Sequence, residues 1–261
     1  MIKYLKIGSY FLKEVRYYGY LLVLDNIHLL LLIFVLTSLA IFGAKHQGID
    51  TVGGISLTSY VWYVFITELV MVNWKDQHLI DEIKGGSIIS FLNKPISFIG
   101  FYFAQTFFKT LITMLIVGSF CAGVILLFTQ QFPFFGIMEL LLFLLSFLIG
   151  IAMLTLVSLI IALAAFLLED STFIRLMINK LYFIFGGLFF PLDLYPQRMK
   201  SIAQFLPFQY YLYAPAKFFS GGELGFFWSY FPLQVLWLGI LTGIVLAMGK
   251  TCMRRLEING G

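Results

Sequence analysis

The 261 residues are 61% hydrophobic and 11% charged with a formal net charge of +4, whereas soluble domains run at roughly 25% charged. That balance excludes a soluble globular domain, and the thin scatter of Lys and Arg is no nucleic-acid footprint. Cys121 and Cys252 stand far apart, so neither a disulfide framework nor a cysteine ligand cluster is implied.

Almost uncharged stretches recur along the chain, each as long as the roughly 20 helical residues that cross about 30 Å of hydrocarbon. Barrel strands would instead alternate over about ten residues. The expected fold class is therefore all-α and polytopic, one transmembrane domain over residues 1–261 with six spans.

No cleavable signal peptide is expected, because basic and apolar residues are interspersed in MIKYLKIGSYFLKEVRYY. Over residues 1–22, Tyr4, Ile7, Phe11, Val15, Tyr18 and Leu22 step by three or four while Lys3, Lys6, Lys13 and Arg16 fall away from that stripe. An amphipathic helix lying in the membrane interface is predicted there. After Asp25 and Asn26, the run to Ala44 makes the first span, and Thr51 to Trp74 the second.

Residues 75–95, KDQHLIDEIKGGSIISFLNKP, form a charged island between apolar neighbours. Gly85-Gly86 divides it into two short helices, the second capped by Ser87 and stopped by Pro95. A third span runs from Ser97 to about Phe128, a fourth lies within Phe134 to Leu168, and a fifth extends from Phe173 to about Phe190. A connector over residues 191–225, rich in proline and aromatics, precedes the sixth span from Phe226 to Met248 and a short basic tail. Irregular backbone at membrane depth survives only where protein protects it or where it lines a cavity, so the connector reads as short, partly re-entrant helices.

Basic residues set the orientation. With both termini in the cytoplasm, that side holds Lys3, Lys6, Lys13, Arg16, Lys75, Lys84, Lys94, Arg175, Lys180, Lys250, Arg254 and Arg255. The opposite side holds only Lys45, Arg198, Lys200 and Lys217. The island is then cytoplasmic and the connector extracellular.

Chemistry-bearing motifs are sparse. Gly249-Lys250-Thr251 ends like a phosphate loop, but Gly243 lies one residue too far upstream and no strand precedes it. If ATP is used, another chain binds it. His28, His46 and His78 are dispersed with no paired nucleophile, so no catalytic residue is expected. His78, Asp76, Asp81 and Glu82 read as a solvated helix face and not as a metal site. Glu68 and Lys109 are the ionisable groups at depth, in a structural ion pair or in contact with substrate. Gly118 with Ala122, Ser158 with Ala162, and Ala164-Ala165 would let helices approach closely.

Two separated motifs point to a family. FPLDLYP, a short amphipathic helix, LPFQYYLYAP and KFFSGG follow the fifth span, and Gly86-Ser87-Ile88-Ile89-Ser90-Phe91-Leu92-Asn93-Lys94-Pro95 closes the island. In these the chain resembles ABC exporter permeases of the ABC-2 class, within them the viologen-exporter-like six-span branch. The resemblance implies a cytoplasmic coupling helix, a second permease subunit, identical or different, and an ABC ATPase subunit carrying ATP and magnesium. No cofactor is implied in this chain itself.

Leu79, Ile80, Ile83, Ile88 and Phe91 are then the docking residues, with Asp81, Glu82 and Lys84 at the rim. Pro191, Tyr195, Pro196, Phe205, Pro207 and Tyr210 make the extracellular gate. The implied activity is export of an amphiphilic drug, lipid-like molecule or peptide across the cytoplasmic (inner) membrane. The rival readings are an ATP-independent carrier or channel, which predicts an internal repeat and midplane polar groups, and a membrane assembly factor without transport.

Overall fold

The computed structural model describes residues 20, 24, 27–47, 51–52, 55–71, 97–133, 136–168, 172–221 and 223–259. The expected interfacial helix, apart from Tyr20, and the island with its docking residues Leu79, Ile80, Asp81, Glu82, Ile83, Lys84, Ile88 and Phe91 lie outside the described residues.

Helix α1 covers Ile27–Gln47. A two-stranded antiparallel ribbon follows, β1 (Thr51–Val52) against β2 (Ile55–Ser56), with Thr51 opposite Ser56 and Val52 opposite Ile55. Helix α2, Leu57–Met71, thus begins later than the expected second span. Gly53-Gly54 is a hairpin signal that hydropathy alone absorbs into a span.

Two 32-residue helices come next, α3 (Phe98–Thr129) and α4 (Ile137–Leu168). Ser97 caps α3 by accepting from the Gly100 N–H at 3.4 Å, and Gln130 ends it in the left-handed region with φ 51°. Helix α5 covers Thr172–Phe185, stopping five residues short of the expected Phe190. A 3₁₀ turn at Leu192–Leu194 leads into three short helices, α6 (Gln197–Gln204), α7 (Phe208–Tyr211) and α8 (Tyr213–Phe219). Helix α9, Leu224–Asn259, has 36 residues and carries the basic tail on the same helix as the expected sixth span.

Among the described residues, α3, α4 and α9 are each long and apolar enough to cross a membrane. The protein is an all-α polytopic membrane protein, and among the described residues only the four of the ribbon are strand. α4 packs along α9 and against α3, while α2 is enclosed by α1, α3 and α8. Every residue from Tyr60 to Thr67 is buried.

The connector shares the deepest part of the core with α2 and α4. Tyr210, Tyr211, Leu212 and Tyr213 are at most 1% exposed, with α7 and α8 set among α2, α4, α5 and α9. Lipid tails are as apolar as Leu, so helix association in membranes rests on close packing and hydrogen bonds. Small residues supply the packing. A Cβ on Gly118 would stand 3.0 Å from Leu69 Cδ2, and one on Gly150 would stand 3.1 Å from the Tyr211 carbonyl. A Cβ on Gly249 would collide with Ile99 Cδ1, so the glycine of the phosphate-loop-like string is where α9 crosses the start of α3.

Candidate functional site

The site is built where α5 stops. Gly186 donates its N–H to the Tyr182 carbonyl at 2.8 Å, and Gly187 then turns into the left-handed region at φ 69°. This is how helices commonly terminate, and glycine is the residue that takes the conformation without Cβ strain. The helix stops among buried residues, so carbonyls beyond its end need donors that water cannot provide.

α2 provides them. Tyr63 donates its hydroxyl to the Gly187 carbonyl, Thr67 to the Leu188 carbonyl at 2.7 Å, and Tyr60 to the Phe189 carbonyl at 3.0 Å. Positions 60, 63 and 67 share one helical face, so a single face of α2 holds three successive peptide units of the broken chain. Gly187 is doubly constrained, because a Cβ there would also stand 2.8 Å from the Tyr63 hydroxyl. Gly187→Ala is expected to destabilise the protein by about 1–2 kcal/mol from the left-handed backbone alone, read as a lower unfolding temperature in detergent.

The same end of α2 is held to the loop between α3 and α4. Trp62 Nε1 donates to the Gln131 carbonyl at 3.1 Å, and Thr58 to Gln131 Oε1 at 2.8 Å. Trp62 also meets Phe132 edge to face at 5.2 Å between centroids. Beyond the break, the connector is organised on Asp193. Its carboxylate accepts from Lys217 Nζ at 2.7 Å and from the Tyr213 hydroxyl at 2.9 Å, and its carbonyl accepts from Lys200 Nζ at 2.8 Å. Burial, and then the adjacent Asp193 carboxylate, holds the Tyr213 phenol well above the ordinary tyrosine range, so it remains the donor. Tyr213 meets Tyr63 edge to face at 6.2 Å, which joins the Asp193 cluster to α2.

A second clamp secures the connector from behind. Gln234 of α9 donates to the Ser146 carbonyl at 2.8 Å and to the Tyr210 carbonyl at 3.0 Å, and accepts from the Ser146 hydroxyl at 3.0 Å. Gly150, which receives the Tyr211 backbone, lies thirteen residues into α4, about 20 Å along its axis.

The residues singled out from sequence separate into groups. Pro191, Tyr195 and Pro196 frame the 3₁₀ turn and the start of α6, and Pro207 precedes α7. Tyr210 is buried and donates its hydroxyl to the Gln204 carbonyl at 2.8 Å. Phe205 is 79% exposed and stands apart from them. Glu68 lines a cleft between α1, α2 and α5, whose wall does not include Lys109, half-buried on α3. Sequence reasoning missed Tyr60, Tyr63, Thr67, Asp193, Tyr213 and Gln234. The shared face of the first three was legible as a pattern, while their partners are backbone atoms with no side-chain signature.

Among the described residues no group of three His, Cys, Asp or Glu side chains converges as a metal site. Three long apolar helices and a 14-residue helix held at its end make a membrane scaffold. The family pattern described as ABC-2 family transporter protein matches residues 21–260. The chain belongs to the ABC-2 transporter family. It is a multi-pass membrane permease of an ABC transporter, and ABC-2 permeases generally work with an ATPase subunit. Comparison with curated proteins gave no match. In this ABC-2 permease the gripped break joins α2, the helix immediately before residues 72–96, to the short helices after α5.

Proposed function

We propose that this permease is the membrane subunit of an ATP-driven exporter, crossing the cytoplasmic (inner) membrane six times with both termini in the cytoplasm. Two permease subunits, identical or different, enclose the pathway, and each docks on an ABC ATPase that binds ATP and magnesium. Residues 75–95 are the docking loop, with Leu79, Ile80, Ile83, Ile88 and Phe91 as an apolar ridge and Asp81, Glu82 and Lys84 around it.

The observation that carries this reading is the hold of Tyr60, Tyr63 and Thr67 on the peptide units of residues 187–189. A push on residues 75–95 tilts the two helices attached to them, α2 and α3. α2 is bound through hydroxyls to the broken end of α5 and through Trp62 to the α3–α4 loop, so it cannot tilt without moving the connector. ATP-driven closure of the ATPases thereby opens the extracellular side, where Pro191, Tyr195, Pro196, Pro207 and Tyr210 gate the exit. Phe205, exposed at the end of α6, belongs to the rim. The cargo is amphiphilic, in keeping with a chain that is 18% aromatic.

Ile83→Asp places a charge on the docking ridge without touching any span. It is expected to abolish substrate-stimulated ATP hydrolysis by the co-purified complex while leaving membrane insertion intact. Wild-type coupling in that variant would remove the docking assignment.

A further inference from the structure

α6 is amphipathic the wrong way round for a helix in water. Arg198, Ile202 and Phe205 follow one another by four and three residues and so share a face, and all three are exposed, Phe205 at the helix end. On the other side Met199 is half-buried and Ala203 buried, where α6 meets α5 and α7. Phe190 and Leu194, just ahead of the helix, are exposed as well. A contiguous exposed apolar patch marks a protein or a membrane contact.

The level of this patch follows from its ties. α9 is long and apolar enough to cross a membrane from Leu224 onward, and Trp228, exposed one turn inside that start, is the residue type favoured at the edge of the hydrocarbon. α8 ends at Phe219, five residues before Leu224, with Lys217 in its last turn. Lys217 pairs with the Asp193 carboxylate at 2.7 Å, and Lys200 of α6 donates to the Asp193 carbonyl at 2.8 Å. These bonds tie α6 to the level at which α9 enters the bilayer.

The cations of the connector then divide. Lys200 and Lys217 turn back to Asp193, whereas Arg198 pairs with no carboxylate among the described residues and stands one turn from Ile202 on the exposed face. Basic residues beside an apolar face are the composition of helices that lie in the membrane interface. We propose that α6 lies on the bilayer surface and binds an anionic phospholipid, with Arg198 at the headgroup phosphate and Ile202 and Phe205 among the upper acyl carbons. A guanidinium matches a phosphate with two parallel hydrogen bonds, and in an anionic lipid no ammonium of the headgroup neutralises that phosphate. The contact concerns the bilayer and not the cargo, so it holds whether or not the protein exports anything.

The test uses the full chain in nanodiscs of phosphatidylcholine with a minor share of phosphatidylglycerol. Phe205 is replaced by photoreactive p-benzoylphenylalanine, and the adducts formed on illumination are identified by intact mass. Lipid adducts are expected, with phosphatidylglycerol enriched over its share of the bilayer about fivefold, the effect of one basic residue at an anionic surface. Arg198→Gln should bring the adducts down to the bilayer ratio, and Arg198→Lys should keep most of the enrichment. The same probe at Leu236, exposed on α9 within the span, should report the bilayer ratio throughout. Cross-linking of Phe205 to a second copy of the chain would overturn the proposal, as would the absence of lipid adducts. Enrichment that survives Arg198→Gln would overturn the assignment of the headgroup to that residue. Every substituted side chain is exposed, and unchanged thermal unfolding of each variant checks that the fold is kept.

Discussion

The triple variant Tyr60→Phe, Tyr63→Phe, Thr67→Val is expected to lose transport while the protein still inserts into the membrane. Each substitution keeps nearly the same shape and deletes one hydroxyl, leaving the Gly187, Phe189 and Leu188 carbonyls without these donors. A buried acceptor stripped of its partner costs about 1–3 kcal/mol, although hydrogen bonds measured within membranes average nearer about 0.6 kcal/mol. Single variants should therefore lower the unfolding temperature modestly. The triple variant should release residues 187–189 from α2, because no hydroxyl of the set then remains. Thr242, exposed on α9 with its hydroxyl bonded to the Leu238 carbonyl of its own helix, provides the control, and Thr242→Val should change stability by no more than about 0.5 kcal/mol. Wild-type vesicle transport by the triple variant would show that α2 does not move the connector through these bonds.

Substitutions of Gln234 should produce the largest single-site losses of stability, beginning with Gln234→Leu. The side chain is 1% exposed and is shared by three helices, α9 on which it sits, α4 through Ser146 and α7 through Tyr210. Leucine fills a similar volume but leaves the Tyr210 carbonyl and the Ser146 hydroxyl without this partner, a loss of about 1–3 kcal/mol. Gln234→Glu should be worse at neutral pH. It replaces the donating amide by a second oxygen and aims charge at two carbonyls inside the membrane. Thermal unfolding in detergent should rank the proteins wild type, then Leu, then Glu. A Gln234→Leu variant as stable as wild type would mean that packing alone holds α7.

The apolar helices were legible because length and hydropathy suffice to mark them, and the family because two motifs survive in the right order. The departures all have local causes. The ribbon at Thr51–Ser56 hides within an apolar stretch because Val52 and Ile55 are as hydrophobic as a span requires. α5 ends at Phe185 because Gly187 turns left-handed, although Leu188, Phe189 and Phe190 keep the hydropathy high. α9 runs on past Met248 because nothing from Gly249 to Asn259 breaks a helix except one glycine, itself packed against Ile99.

The candidate site was less legible, since its bonds join distant residues without periodicity. Lys217 and Lys200 entered the sequence reading only as charges that set orientation, and nothing in their spacing marked Asp193 as their common acceptor. Glu68 stood out as a charge at depth. Its cleft needed the structure, because the residues of α1 and α5 that close it are far from Glu68 in sequence.

The burial of Tyr210–Tyr213 also dictates an order of assembly. These residues are made before α9, yet α9 forms part of the wall that encloses α7 and α8 and supplies the Gln234 clamp. Until the last helix has entered the membrane, α7 and α8 lack one side of their socket and their backbone one of its donors. Contacts distant in sequence form late, so the middle of this core is completed from the end of the chain. A nascent chain cut off ahead of Leu224 would leave α7 and α8 open on the side that α9 covers, a state that membrane quality control can recognise and that the finished protein never displays.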